Sequence, residues 1–176
     1  LLIPDAHARP NEDLRRFEWL GELILQEMPD VIIDIGDWYD MESLCSYDKG
    51  TKSFEGRRYK ADIEAGKEAE RLSFGRIVTY NQTASKHKKK HYNPIIVRTR
   101  GNHEQRILRA TEKQPEIEGI IGINDTFSTL DLTLVNVPFL TPYIVDDIAY
   151  SHYYVSGIMG RPVASAQAML AKHHMS

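Results

Sequence analysis

The stretch Val31-Ile32-Ile33-Asp34-Ile35-Gly36-Asp37-Trp38-Tyr39-Asp40 decides how this chain is read. Four β-branched residues interrupted only by Asp34, then Gly-Asp at once, describe a buried strand that ends in a turn rich in oxygen donors. Immediately upstream, Leu14, Phe17, Leu20, Ile24 and Met28 recur at three- and four-residue steps, which predicts an amphipathic helix from about Asn11 to Met28. Asn11 is its expected N-cap, Glu12 and Asp13 suit the positive end of the helix dipole, and Pro29 ends it. Ahead of the helix lies a second apolar run, Leu1-Leu2-Ile3, with Pro4 at its exit. Strand, helix and strand in this order form a βαβ unit with parallel strands and a right-handed crossover.

Further along, the rhythm breaks between Asp40 and Asn93. Residues 57 to 80 read as helical, with Ala61, Ala65, Ala69 and Leu72 on one narrow face. Segment 41–93 is therefore expected as a largely helical, basic insertion lying over the core, with Lys86-His87-Lys88-Lys89-Lys90-His91 as a loop. Alternation resumes with a strand at Ile95-Ile96-Val97 and a helix from Glu104 to Lys113. Residues 132–139 and 143–150 suggest a hairpin or two adjacent strands, and Pro162 reads as the first residue of a helix running to Lys172. The expected fold class is α/β, as a single domain over residues 1–176.

Composition narrows the function classes. Charged residues make up 27% of the 176 and apolar ones 41%, and no apolar stretch approaches the roughly 20 residues of a membrane span, so no membrane partner is expected. One cysteine, Cys45, cannot close an internal disulfide, which fits a reducing compartment and a cytoplasmic location. The chain starts at Leu1 inside an apolar run, which leaves room for preceding residues. A net charge of −3 conceals a segregation: Met41 to Arg100 holds 14 Lys and Arg against 7 Asp and Glu, while the remainder holds 8 against 18. A basic middle of this kind is either a solvated insertion or a surface that meets phosphates.

Three clusters carry the chemistry: Asp5-Ala6-His7, Gly36-Asp37-Trp38-Tyr39-Asp40 and Gly101-Asn102-His103-Glu104. Each follows an apolar run, where the strand-to-helix loops of a parallel sheet deliver residues to one crevice. Their carboxylate, amide and imidazole groups are donors for divalent metals. Taken singly, each has a bland reading, since Asp-x-His near a strand end is common and Gly-Asp is often a turn with a cap. Their succession on consecutive strand ends is what points to a two-metal hydrolytic site. Neither a Gly-x-Ser-x-Gly elbow around Ser151, a Walker loop nor a dinucleotide-binding glycine fingerprint is present. His87 and His91, four apart among lysines, are weak metal candidates, and Tyr153 and Tyr154 read as strand packing beside His152.

Together with the later His152, the motifs Asp5-x-His7, Gly36-Asp37-x-x-Asp40 and Arg100-Gly101-Asn102-His103-Glu104 resemble the calcineurin-like metallophosphoesterase family, and in general style its bacteriophage-encoded members. That resemblance implies a β-sandwich flanked by helices. It assigns Asp5 and His7 to one metal, Asp37 to a bridge between two, and Asn102 and His152 to the second. Asp40 would lie behind His103 and orient it toward the leaving-group oxygen, and Glu104 would support the loop. The implied reaction is hydrolysis of a phosphate ester by in-line attack of a metal-bound hydroxide, with two divalent ions, manganese foremost and iron or zinc also suited to mixed oxygen and imidazole ligation.

Two departures stand against the family pattern. Asp40 is followed by Met41 and Glu42, where the protein Ser/Thr phosphatase branch has Arg-Gly. The closing Gly-His-x-His is missing, and the chain ends Lys172-His173-His174-Met175-Ser176, so the domain is expected to be truncated at its C-terminus. On substrate, Arg57, Arg58, Lys60 and Lys86 to Lys90 with Tyr59 and Tyr92 could track a nucleic-acid backbone, making a nuclease-like phosphodiesterase. A phosphomonoesterase with a charged cap is the competing enzyme. A non-catalytic module that binds nucleic acid or protein on the same fold is the alternative of a different class.

Overall fold

Val31–Asp34 and the three other β-branched runs pair as one parallel sheet in a computed structural model that describes residues 1–156, 161–163 and 165–172. In chain order the elements are β1 (Leu2–Ile3), α1 (Arg15–Glu27), β2 (Val31–Asp34), α2 (Tyr59–Ser73), α3 (Gly75–Lys86), β3 (Ile95–Thr99), α4 (Gln105–Lys113) and β4 (Leu134–Val137). They are followed by β5 (Tyr143–Val145), β6 (Ile148–Tyr150), β7 (Val155–Ser156), β8 (Arg161–Pro162) and α5 (Ala166–Lys172). The sheet runs β1-β2-β3-β4, every pair parallel, so all four C-terminal ends lie along one edge. Among the described residues the other strands form only the two-stranded pairs β5-β6 and β7-β8. The class is mixed α/β, and among the described residues no helix is long and apolar enough to cross a membrane.

Register divides the sheet into two faces. Ile3, Asp34, Arg98 and Asn136 are cross-strand neighbours, as are Ile32, Ile96 and Leu134; this face packs on the helices, where Phe17 and Ile24 of α1 and Ile63, Ala69 and Ile77 of α2 and α3 complete the core. Leu2, Ile33, Val97 and Val135 form the row on the opposite face. A strand with period two allows no other division.

Segment 41–93 is thus the crossover from β2 to β3, and it contributes Ile63, Ala69, Phe74 and Ile77 to the core. The expected alanine face is rotated by one residue: Asp62, Ile63, Gly66, Ala69, Glu70 and Ser73 are the buried positions of α2. Burial of the two carboxylates follows from their partners. Asp62 accepts the Ser43 N–H at 3.0 Å. Glu70 meets the Arg98 guanidinium at 2.6 Å, which holds Asp34 at 2.5 Å and lies 4.7 Å over the Trp38 ring. Trp38 in turn stacks on Phe74, the residue at which the single expected helix breaks into α2 and α3.

Three boundary expectations change for local reasons. Asn11 does not cap α1; it lies at φ +62°, and Asp13 accepts the Arg15 N–H at 2.9 Å, so the helix begins one turn later. At the other end Met28 enters the left-handed region and donates to Ile24, closing the helix before Pro29. Residues 132–139 and 143–150 do not pair: β4 joins the parallel sheet, while 143–150 is a hairpin by itself, because Asp146 and Asp147 both accept positive φ in a two-residue turn. Pro162 sits in β8, and the last helix starts at Ala166.

Candidate metal centre

Parallel strands carry their outgoing loops to the same edge, and the three donor clusters are those loops after β1, β2 and β3. Backbone bonds hold the first two together: His7 N–H donates to Asp37 O at 2.9 Å, Ala8 N–H to Trp38 O at 2.8 Å and Asp40 N–H to Ala8 O at 3.1 Å. The third loop closes on the second through glycine. A Cβ at Gly101 would lie 1.9 Å from Asp37 Oδ1, and one at Gly36 would lie 2.5 Å from Gly101 N. Glu104 then fastens both loops from beneath, its carboxylate accepting the N–H groups of Asp37, Tyr39 and Gly101 at 2.9–3.1 Å. Burial raises the Glu104 pKa and the nearby Asp37 charge adds to this, against the bonds from Tyr39 and Gly101. Asp5, His7, Asp37 and Met41 all occupy positive φ, a concentration of left-handed non-glycine residues at one site.

The side chains converge on Asp37, which is nearly buried. Its Oδ2 lies 3.9 Å from His7 Nε2, 3.7 Å from His103 Nε2 and 3.5 Å from His152 Nε2. In each ring the other nitrogen is engaged. His7 Nδ1 and His103 Nδ1 are 3.0 and 2.8 Å from Asp40 Oδ1, and His152 Nδ1 is 3.0 Å from the Ile35 carbonyl. Carboxylates and carbonyls only accept, so each Nδ1 carries a proton, and Nε2 is the ring nitrogen that faces Asp37. His152 Nε2 also lies 3.0 Å from Asn102 Oδ1.

Such an arrangement fits cations. Ligand atoms roughly 2.1 Å from a shared ion sit about 3–4 Å apart, and orienting carboxylates behind the imidazoles are the usual support. Two groups have donor atoms all within 4.8 Å of one another: His7, Asp37 and His103, and Asp5, Asp37 and His152. Asp37 belongs to both. Asp5 and His7 fall in different groups, His103 lies with His7, and Asp5 Oδ1 is 3.7 Å from His152 Nδ1.

Asp40 anchors the electrostatics. Burial opposes its ionisation, yet hydrogen bonds from His103 and His7 and the charge of Arg9, 3.1 Å away, outweigh this and hold its carboxyl well below the usual range. Reciprocally, the bond to Asp40 raises the His7 pKa above 6.5 against the effect of burial, with the Asp40 and Asp37 charges assisting.

Sequence reading missed Arg106. Its guanidinium donates to Asp40 O at 2.8 Å and to His103 Nε2 at 2.9 Å, which makes that nitrogen an acceptor. The available signal was its place three residues beyond His103, one helical turn along the same face. His87 and His91 are elsewhere, at the end of α3 and against Ser85. Lys86 to Lys90 precede the N-terminal end of β3, the edge of the sheet opposite the donors. Tyr153 packs 5.3 Å from His152 and 5.6 Å from Phe139. His173 and His174 lie outside the described residues. Comparison of the chain with protein-family models, with curated proteins and with solved structures gave no match in any of the three.

Proposed function

We propose that this protein is a metal-dependent phosphoesterase that hydrolyses phosphate esters, with Asp37 bridging two divalent ions, manganese foremost and iron or zinc as substitutes. The observation that carries this reading is the meeting of three imidazole Nε2 atoms and a second carboxylate around the one buried Asp37. Asp37 and His7 would hold one ion, and Asp37, Asp5, His152 and the Asn102 amide oxygen the other; His103 stands beside the first with its Nε2 turned to Arg106. Bound there, the pair would supply Lewis acidity toward the phosphoryl oxygens and a lowered water pKa.

The chain's own residues do the rest. Asp40 positions His7 and His103 through their Nδ1 protons, and Glu104 keeps the loops after β2 and β3 in contact. Arg106 donates to His103 Nε2 and stands where an arriving phosphate oxygen competes for its guanidinium. With phosphate on Arg106, His103 Nε2 would take up a proton from solvent and pass it to the leaving oxygen, the role the motif resemblance gives His103. The same reading entails a second sheet, completing a β-sandwich. Parallel sheets are covered on both faces, and the face bearing Leu2, 50% exposed, and Ile95, 53% exposed, is the one it would cover.

The test is metal content and hydrolysis of bis-p-nitrophenyl phosphate and p-nitrophenyl phosphate after loading with Mn²⁺. Expected are metal-dependent turnover abolished by EDTA and a loss of more than about a hundredfold in Asp37→Asn, beyond what removal of an outer partner costs. Turnover indifferent to both treatments would overturn the proposal. Metal binding with no turnover of either ester would favour the non-catalytic binding module.

A further inference from the structure

The cations that a phosphate-bearing substrate needs are not where the sequence concentrates them. Arg57 is committed to Asp48 at 2.6 Å and Glu42 at 3.5 Å, and Lys60 to Glu64. Lys86 to Lys90 lie one strand length from the donors, roughly 15 Å along β3 at about 3.3 Å per residue. Beside the metal centre, however, there is a cavity of about 250 Å³ lined by Lys49, Arg106, Arg109 and Lys113, with Leu44 and Ile117 among its apolar walls.

Arg106 connects this cavity to the site, since the same guanidinium touches Asp40 O and His103 Nε2. Positions 106, 109 and 113 follow at steps of three and four, so they form a row along one face of α4. At 1.5 Å rise per residue, that row carries positive charge about 10 Å away from the metal centre. Lys49 faces it from the loop after β2. Lys49, Arg109 and Lys113 are exposed, and among the described residues none of them pairs with a carboxylate. Four converging cations with no acidic partner in the lining, at a crevice that ends on a phosphoester site, are complementary to further phosphate groups on the substrate.

We infer that this cavity is a subsite for a second phosphate, so that the substrate is a polyphosphorylated molecule extending from the metal centre along α4. This rests on the phosphoesterase reading above. A nucleic-acid strand and a nucleoside polyphosphate share the recognising chemistry, and a row of this length favours the strand.

The test is fluorescence anisotropy of a short labelled single-stranded thymidine oligonucleotide with the full chain in EDTA, which needs neither bound metal nor turnover. In Arg109→Gln/Lys113→Gln the dissociation constant is expected to rise about tenfold, and the slope of log K against log salt to fall by about 1.4, near 0.7 per lost phosphate contact. Lys88→Gln/Lys89→Gln, at the opposite edge of the sheet, is expected to leave both unchanged. Circular dichroism melts of both variants confirm folding, and charge reversal at the single exposed position Lys113→Glu provides a second variant. Displacement by a nucleoside triphosphate as effective as by unlabelled strand assigns the subsite to nucleotides; displacement by strand alone assigns it to nucleic acid. Affinity unaltered in the α4 variants, or lost equally in the Lys88/Lys89 variant, overturns the subsite. Binding that depends on α4 in a protein without hydrolysis overturns the phosphoesterase reading and leaves the subsite standing.

Discussion

Asp34 and Asp37 stand three residues apart at the end of the same strand and have opposite fates. Asp34 is fully buried beside Arg98, which also holds Glu70, and the guanidinium lies against Trp38. Its carboxyl is pushed up by burial and pulled back by Arg98. Asp37 has no guanidinium partner among the described residues; it faces the Nε2 atoms of three imidazoles. The difference separates a carboxylate whose charge is neutralised by a fixed cation from one that has none. Fixed cations make the first pair structural, since removing one partner strands a buried charge. Imidazole nitrogens and a second carboxylate around the other make it a candidate place for a cation.

The largest effect expected from this contrast is on stability. Arg98→Met leaves Asp34 and Glu70 without a cation and should cost about 3–5 kcal/mol in urea unfolding. The triple replacement Arg98→Met/Asp34→Leu/Glu70→Met should recover most of that loss while leaving metal content unaltered. An Arg98→Met protein as stable as the parent would erase the distinction between the two aspartates.

Asp40→Asn acts on the other member of the comparison. It keeps the fold but removes the negative charge that the Nδ1–H groups of His7 and His103 share and turns an amide N–H₂ toward Arg9, so metal affinity by isothermal titration should fall 10- to 100-fold. Affinity within a factor of two of the parent would show that Asp40 does not orient those rings.

The smallest effect is a pH dependence of the metal-free protein. His7 has a raised pKa, so the folded chain holds its proton more tightly than the unfolded one. That contribution is fully present below about pH 6.5 and is lost as pH rises through the folded value. Because His7 is partly exposed, the melting temperature in EDTA should fall by only roughly 1–2 °C between about pH 6 and pH 8. His7→Asn should flatten the slope. Metal affinity should rise across the same window, because the ion competes with the proton for the imidazole; a fall would count against His7 as a ligand.

Much of the architecture is legible in the residues. β-Branched runs and their spacing by a three-to-four residue period are local properties, and they located β1, α1, β2, β3 and α4 to within a few residues. Local signals misled where a partner distant in sequence decided the outcome. The face of α2 is set by Arg98, Ser43 and Tyr39 rather than by its alanines. Likewise β4 extends the parallel sheet because β3 offers it an edge, which no pattern within residues 132–139 records.

The same division runs through the site. By itself the sequence determined the donor types and their placement at strand ends, because apolar runs, glycine turns and the residues that follow them are contiguous. Only the tertiary structure decided which donors lie close enough together to share an ion, that Asp5 and His7 face different partners, and that the exposed positive charge near the donors lies on α4, the lysine run being at the opposite edge of the sheet. Those outcomes depend on parallel register and on two glycines letting adjacent loops touch, and on charges being either paired across the fold or left open. Ligand geometry and net local charge are sums over neighbours in space, and the order of residues in a chain does not contain that sum until the sheet has formed.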